Sequence, residues 1–151
     1  MVAESRNGQG VFATKIFQRG DVVFHVEGKI LRWEKLLAIG GSVGDNAFRF
    51  GAETYLSPKG HVGDFLNHSC ESNSGVKKIK RKLFIVAIED IPKGTEILID
   101  YSTILGNDDI WTMKCSCGSK KCRKIIKNFG SLPAELQEQY RSLGIVPAYI
   151  Q

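Results

Sequence analysis

The chain has no hydrophobic run long enough to cross a membrane. Its longest uninterrupted apolar stretch, Leu83 to Ile88, holds six residues, against the roughly twenty that a spanning helix needs. A cleaved leader is not expected, because Glu4, Ser5, Arg6 and Asn7 break the N-terminal end before an apolar segment can form. Internal repeats, heptads and low-complexity tracts are absent, which excludes solenoids, coiled coils and long linkers. Cysteine is scarce at four residues, and all four fall between positions 70 and 122. A soluble, cytoplasmic chain is therefore expected, in a compartment where thiols stay reduced and clustered cysteines bind metal sooner than they pair.

What is present is a core and many turns. With 151 residues, 42% of them hydrophobic, the chain can bury one core. Its 16 glycines join prolines in turn signals at Arg19-Gly20-Asp21, Gly40-Gly41, Pro58-Lys59-Gly60 and Pro92-Lys93-Gly94. Between these turns, Val22 to Val26, Lys82 to Ile88 and Glu96 to Tyr101 are rich in β-branched and aromatic residues and read as strands. Two stretches read as helices, Trp33 to Ile39 and Pro133 to Leu143. The second has Pro133 at its start, Gly144 past its end, and Leu136, Tyr140 and Leu143 on one face. Gly106-Asn107-Asp108-Asp109 is the expected flexible joint ahead of the last cysteines. Aromatics Phe48, Phe50 and Tyr55 are assigned to the core rather than to a site.

The formal charge of +5 is concentrated at Lys77 to Lys82 and from Lys114 to Lys127. The first run precedes a strand and reads as the solvated tip of a hairpin. The second surrounds three thiols, whose negative charge it would offset on metal binding. Nucleic acid is therefore not expected as a direct ligand, and no membrane partner is expected.

Cys115, Cys117 and Cys122 form a C-x-C-x4-C cluster. Three thiols so close in sequence can wrap three corners of a tetrahedral zinc, but the short loop does not easily supply a fourth. Cys70 is the remaining thiol. If it completes the site, a structural zinc holds the tail of the chain beside Asn67 and His68.

Four pieces in order, Gly8-Gln9-Gly10-Val11-Phe12-Ala13, Asn67-His68-Ser69-Cys70, Glu96-Ile97-Leu98-Ile99-Asp100-Tyr101 and the cysteine cluster, resemble the SET-domain protein lysine methyltransferases with their post-SET zinc segment. The resemblance runs from about Ser5 to Lys127. It implies a mostly β, β-clip-like fold of short strands with a pseudoknotted C-terminal region. On that basis residues 1–113 form the SET domain, 114–128 the post-SET zinc segment, and 129–151 an extension with a short helix. The implied activity is transfer of methyl from S-adenosyl-L-methionine to the side-chain amine of a protein lysine. Gly8, Gln9 and Gly10 would bring backbone close to the cofactor, where a Cβ would obstruct. Asn67 and His68 would line the same pocket, and Phe129 would cover the adenine. Tyr101 would be catalytic and would also touch the cofactor, its hydroxyl orienting the amine.

Several positions depart from the commoner family pattern. Asp64 stands where arginine is frequent, Val26 where an aromatic is common, and Ile99 where Phe or Tyr often precedes the catalytic tyrosine by two residues. A small aliphatic side chain there predicts room at the amine and more than one methyl added. The departures also keep open a catalytically inactive SET-like module that binds a protein partner. The substrate would be a protein presenting a lysine, a histone or another basic protein among them, met in the cytoplasm, the nucleus or a host cell according to source. Oligomeric state is not legible in the sequence.

Overall fold

The structure, a computed structural model, describes residues 1–40 and 46–150. Among these, short strands dominate: β1 (Val2–Ser5), β2 (Gly8–Val11), β3 (Val22–His25), β4 (Lys29–Arg32), α1 (Trp33–Ile39), β5 (Phe48–Arg49), β6 (Thr54–Ser57), β7 (Asn67–His68), β8 (Ser74–Ile79), β9 (Lys82–Ala87), β10 (Leu98–Ile99), β11 (Met113–Lys114), β12 (Ile125–Ile126) and α2 (Ala134–Ser142). The mostly β character and both helices are as the sequence predicts. Gly40 takes a φ of 60° behind α1; Gly41, the other half of that predicted turn, lies outside the described residues.

The strands gather into small sheets rather than one large one. β3, β9 and β8 form an antiparallel sheet in that order, and β4, β6 and β5 a second. The basic run Lys77 to Lys82 is the hairpin between β8 and β9, with Ile79 opposite Lys82 and Lys80 at a φ of 55°. Lys78 departs from the solvated tip expected there. Its ammonium folds back over the Phe50 ring at 4.1 Å and the Tyr149 ring at 4.8 Å, where burial lowers its pKa.

One pairing decides where the chemistry can be. β7 and β10 run parallel, Asn67 beside Leu98 and His68 beside Ile99. Chain segments thirty residues apart thus emerge side by side. The predicted strand through Tyr101 is cut short after Ile99, because Asp100 caps a 3-10 turn over Tyr101–Ile104 by accepting the Ser102 N–H. That turn swings the Tyr101 ring back toward β7.

The main core contains Val11, Val26, Phe48, Phe50, Leu56, Leu83, Ile85, Ile97 and Ile99, so the small residue at Val26 is filled around rather than left as a gap. Ile99 is fully buried there and lines neither cavity described below. Its size therefore gives no support to the expected addition of more than one methyl. A second core seats residues 129–150 against β9: Phe129, Leu132, Tyr140 and Ile145 pack on Val86. Phe129 is 1% exposed within it, so it does not reach a cavity to cover an adenine. No helix among the described residues is long and apolar enough to cross a membrane.

Candidate active site

Two cavities meet at Tyr101. The first, about 460 Å³, is mostly apolar and runs over Phe48, Tyr55, Leu66 and Trp111; the second, about 530 Å³, is more polar and is lined by Asn7, Asn67, His68, Lys114 and the edge of the cysteine cluster. Asn46, Tyr101 and Trp111 line both. Volumes of this size suit small-molecule ligands.

Tyr101 is half-buried, and its hydroxyl donates to the Leu66 carbonyl at 2.5 Å. Burial, reinforced by the Glu96 carboxylate, pushes its pKa up to about 12. The phenol is therefore neutral at physiological pH, and its proton is committed to Leu66. Its backbone N–H donates to His68 Nδ1 at 3.1 Å, and the rings of His68 and Tyr101 lie 5.3 Å apart.

His68 is buried, and desolvation outweighs the nearby Asp100 carboxylate to push its pKa down to about 4. The neutral ring accepts at Nδ1, so its proton is on Nε2, which faces the Cys70 sulfur at 3.3 Å. Behind it Asp100, 1% exposed, joins three segments. Its Oδ1 accepts from Arg123 at 2.7 Å and its Oδ2 accepts from the Tyr140 hydroxyl of α2 at 2.8 Å.

Asn67 is held by a second hub. Its amide Nδ2 donates to the Gln9 carbonyl at 2.9 Å and to Glu96 Oε1 at 2.8 Å, and the same Glu96 oxygen accepts from the Ser5 hydroxyl at 2.8 Å. A Cβ at Gly10 would fall on that carboxylate, which accounts for glycine at this position through packing against Glu96. Gly8 turns the β1–β2 hairpin at a φ of 99° with open space around it. The Gly8-Gln9-Gly10 segment thus reaches the site through the Gln9 carbonyl, while Asn7 of the same hairpin lines the cavity.

The four cysteines converge. Cys70 and Cys115 have their sulfurs 3.8 Å apart, and His68, Cys70, Cys115 and Cys117 place their ligand atoms within 4.8 Å of one another. Cys122 lies beside them, its thiol 3.5 Å from the Cys115 carbonyl. Distance alone would favour His68 over Cys122 as the fourth ligand. Tautomer chemistry opposes it: ligation through Nε2 would move the ring proton to Nδ1, where the Tyr101 N–H already donates. The His/Cys cluster has the donors to hold a metal ion, and a set of four thiols would leave His68 donating to Cys70.

Trp111, Asn46, Asn7 and Lys114 were not legible as site residues in the sequence. Trp111 carried a weak signal, as one of two tryptophans and close before the cysteines; Asn46 carried none. The predicted joint at residues 106–109 is tied down. Buried Arg49 donates to Asp108 at 2.7 Å and to Asp109 at 2.9 Å, and Tyr55 donates to Asp109 at 2.5 Å. This clasp holds the loop that ends in Trp111 against the first cavity. Phe48 and Tyr55 are core residues, as expected, and also form cavity wall.

The SET domain family model matches residues 8–102, more than half of the chain. The chain belongs to the SET domain family. Among curated proteins it is 30% identical over 131 residues to the histone-lysine N-methyltransferase trithorax of Drosophila virilis, an alignment covering 80% of this chain and 3% of that protein. It is 33% identical over 127 residues to the H3 lysine-4 specific histone-lysine N-methyltransferase of Schizosaccharomyces pombe, covering 76% of this chain and 13% of that one. The histone-lysine N-methyltransferase set1 of Dictyostelium discoideum is 30% identical over 129 residues, 78% of this chain and 8% of its own length. This SET domain chain therefore spans a small part of the curated relatives it matches.

Proposed function

We propose that the protein transfers methyl groups from S-adenosyl-L-methionine to the side-chain amine of a lysine in another protein. The observation that carries this reading is the meeting of an apolar and a polar cavity at Tyr101. The polar cavity takes the cofactor, which supplies an electrophilic methyl carbon on a positive sulfonium. Asn67 lines this cavity, with its Nδ2 engaged by Gln9 and Glu96. Gly8, Gln9 and Gly10 start the strand behind it, with the Gln9 carbonyl accepting from the Asn67 amide. The apolar cavity takes the lysine side chain.

An exposed lysine amine has a pKa of about 10.4 and is protonated near pH 7. Phe48, Leu66, Tyr101 and Trp111 surround it with apolar surface, which disfavours the ammonium and leaves the neutral amine with its lone pair. The Tyr101 hydroxyl donates its hydrogen bond to the Leu66 carbonyl, so its oxygen lone pairs are left to accept and orient an amine N–H. The new N–C bond forms as the C–S bond breaks, and the methylated amine loses a proton to solvent. Zinc on Cys70, Cys115, Cys117 and Cys122 would hold the wall of the polar cavity. Histones and other basic proteins are the first substrates to test, in view of the relatives' names.

The test is transfer of labelled methyl into purified histones and a cell lysate, wild type against Tyr101→Phe. Label with the wild type and a loss of about a hundredfold or more with the variant is expected. A folded, zinc-loaded wild type that binds the cofactor and labels nothing would refute the reading.

A further inference from the structure

The apolar cavity is bordered by three large, partly or largely exposed side chains, of which Trp33 also packs its ring on Tyr55 at 5.4 Å. Trp33 and Leu37 of α1 are 39% and 60% exposed, and Ile110, on the loop clasped by Arg49, is 90% exposed, yet all three line this one cavity. Single exposed apolar residues are ordinary; several bordering one cleft mark a binding surface. Leu36, not Leu37, anchors α1 to the core, so Leu37 is free to face a ligand. Ile110 is presented on a held loop rather than a loose one, because its neighbours Asp108 and Asp109 are bonded to Arg49.

The charge of the lining defines the occupant further. Its ionised groups are Asp64 and Asp109. Asp109 is matched by Arg49. Asp64 is held by the Asn46 amide at 2.8 Å and the Gly60 N–H at 3.2 Å, with no ion pair to a cation among the described residues. The cleft thus offers, beside its apolar walls, a carboxylate with no ion-pair partner among the described residues, which suits a segment that carries a further basic residue near the target lysine and an apolar side chain next to it.

We propose that this cleft selects a lysine flanked, within a few residues, by a large aliphatic or aromatic side chain in a partner protein, rather than a lysine in a small-residue polar tail. The proposal rests on the lysine-methyl-transfer reading of the same site. The apolar flank packs on Leu37, Ile110 and Trp33, and Asp64 favours the basic character of the segment.

The experiment uses two fluorescein-labelled peptides that differ only beside the lysine, Leu and Phe in one and Ser and Gly in the other. Their affinities are measured by anisotropy with S-adenosylhomocysteine present, and their methylation rates with S-adenosylmethionine. The wild type is expected to bind the apolar-flanked peptide about tenfold more tightly, consistent with partial burial of one aliphatic side chain. In the Leu37→Ser/Ile110→Ser double variant, checked for an unchanged melting curve, that ratio falls toward one. Equal affinities in the wild type, a ratio retained by the variant, or no measurable binding of either peptide would overturn the proposal. So would a wild-type dimer that the double variant converts to a monomer, since a second copy would then cover the surface. Selective binding without methylation would instead count against the methyl-transfer reading and leave the selectivity standing.

Discussion

The hydroxyl of Tyr101 donates to the carbonyl of Leu66, thirty-five residues earlier in the chain, at 2.5 Å. This bond turns the phenol oxygen into an acceptor at the junction of two cavities, and it needs the proton to stay in place. Burial raises the pKa of Tyr101 to about 12 and raises those of Tyr55, Tyr140 and Tyr149 as well, which is all four tyrosines of the chain.

A spectroscopic consequence is direct. Tyrosines in the unfolded chain ionise near pH 10, so the folded state holds their protons more tightly. A raised native pKa contributes stability that is fully present below the unfolded value and is lost as pH climbs from about 10 toward the native values. Absorbance at 295 nm should show almost no phenolate in the native protein at pH 10.5, against more than half ionised in guanidinium, and the alkaline rise should coincide with unfolding by circular dichroism. A normal titration near pH 10 with the fold intact would contradict the buried geometry.

Metal content separates the two ligand sets that distance allows. Elemental analysis is expected to give one zinc per chain, and a strong chelator should lower the melting temperature and release the tail segment. In the cobalt-substituted protein, His68→Gln should keep the ligand-field and thiolate-to-metal bands of a four-sulfur site, while Cys122→Ser should shift or lose them. The reverse pattern would place His68 in the coordination sphere and Cys122 outside it.

The clasp on the loop before Trp111 predicts unequal effects from neighbouring aspartates. Asp109 is 6% exposed at its side chain and Asp108 72%, though both pair with Arg49. Asp109→Ala leaves a buried guanidinium short of its inner partner and should cost about 3 kcal/mol or more. Asp108→Ala should cost under about 1 kcal/mol. Urea unfolding of the two variants measures the difference, and equal losses would mean the pairing is shared differently from the geometry.

Glu96 should act on cofactor binding without touching the cofactor. Its Oε1 accepts from both Asn67 and Ser5, so Glu96→Ala frees the Asn67 amide to rotate. Calorimetry is expected to show affinity for S-adenosylmethionine reduced about tenfold. Glu96→Gln keeps an acceptor in place and should stay within a few-fold of wild type. A Gln variant as weak as the Ala variant would show that the negative charge, not the orientation of Asn67, is what matters.

Local chemistry decided much of this protein before folding is considered. The hairpin before Leu83 and both helices are short-range patterns that survive in the structure, and the Asn67-His68-Ser69-Cys70 segment meets Cys115 and Cys117 so that the ligand atoms of His68, Cys70, Cys115 and Cys117 lie within 4.8 Å of one another. What the sequence could not show are the pairings made across the chain: Arg49 with Asp109 sixty residues on, Glu96 with Asn67, and Trp111 brought beside Tyr101. No periodicity announces such contacts, because each depends on where two distant segments arrive once the core has closed. Residues 106–109 read as a loose joint because Gly, Asn and Asp favour turns, and became a clasped loop because a buried arginine needed their carboxylates. Phe129 followed the same rule in the other direction: it lies close to the cysteines in sequence, yet burial against Val86 and Tyr140 drew it into the second core and away from the cavity.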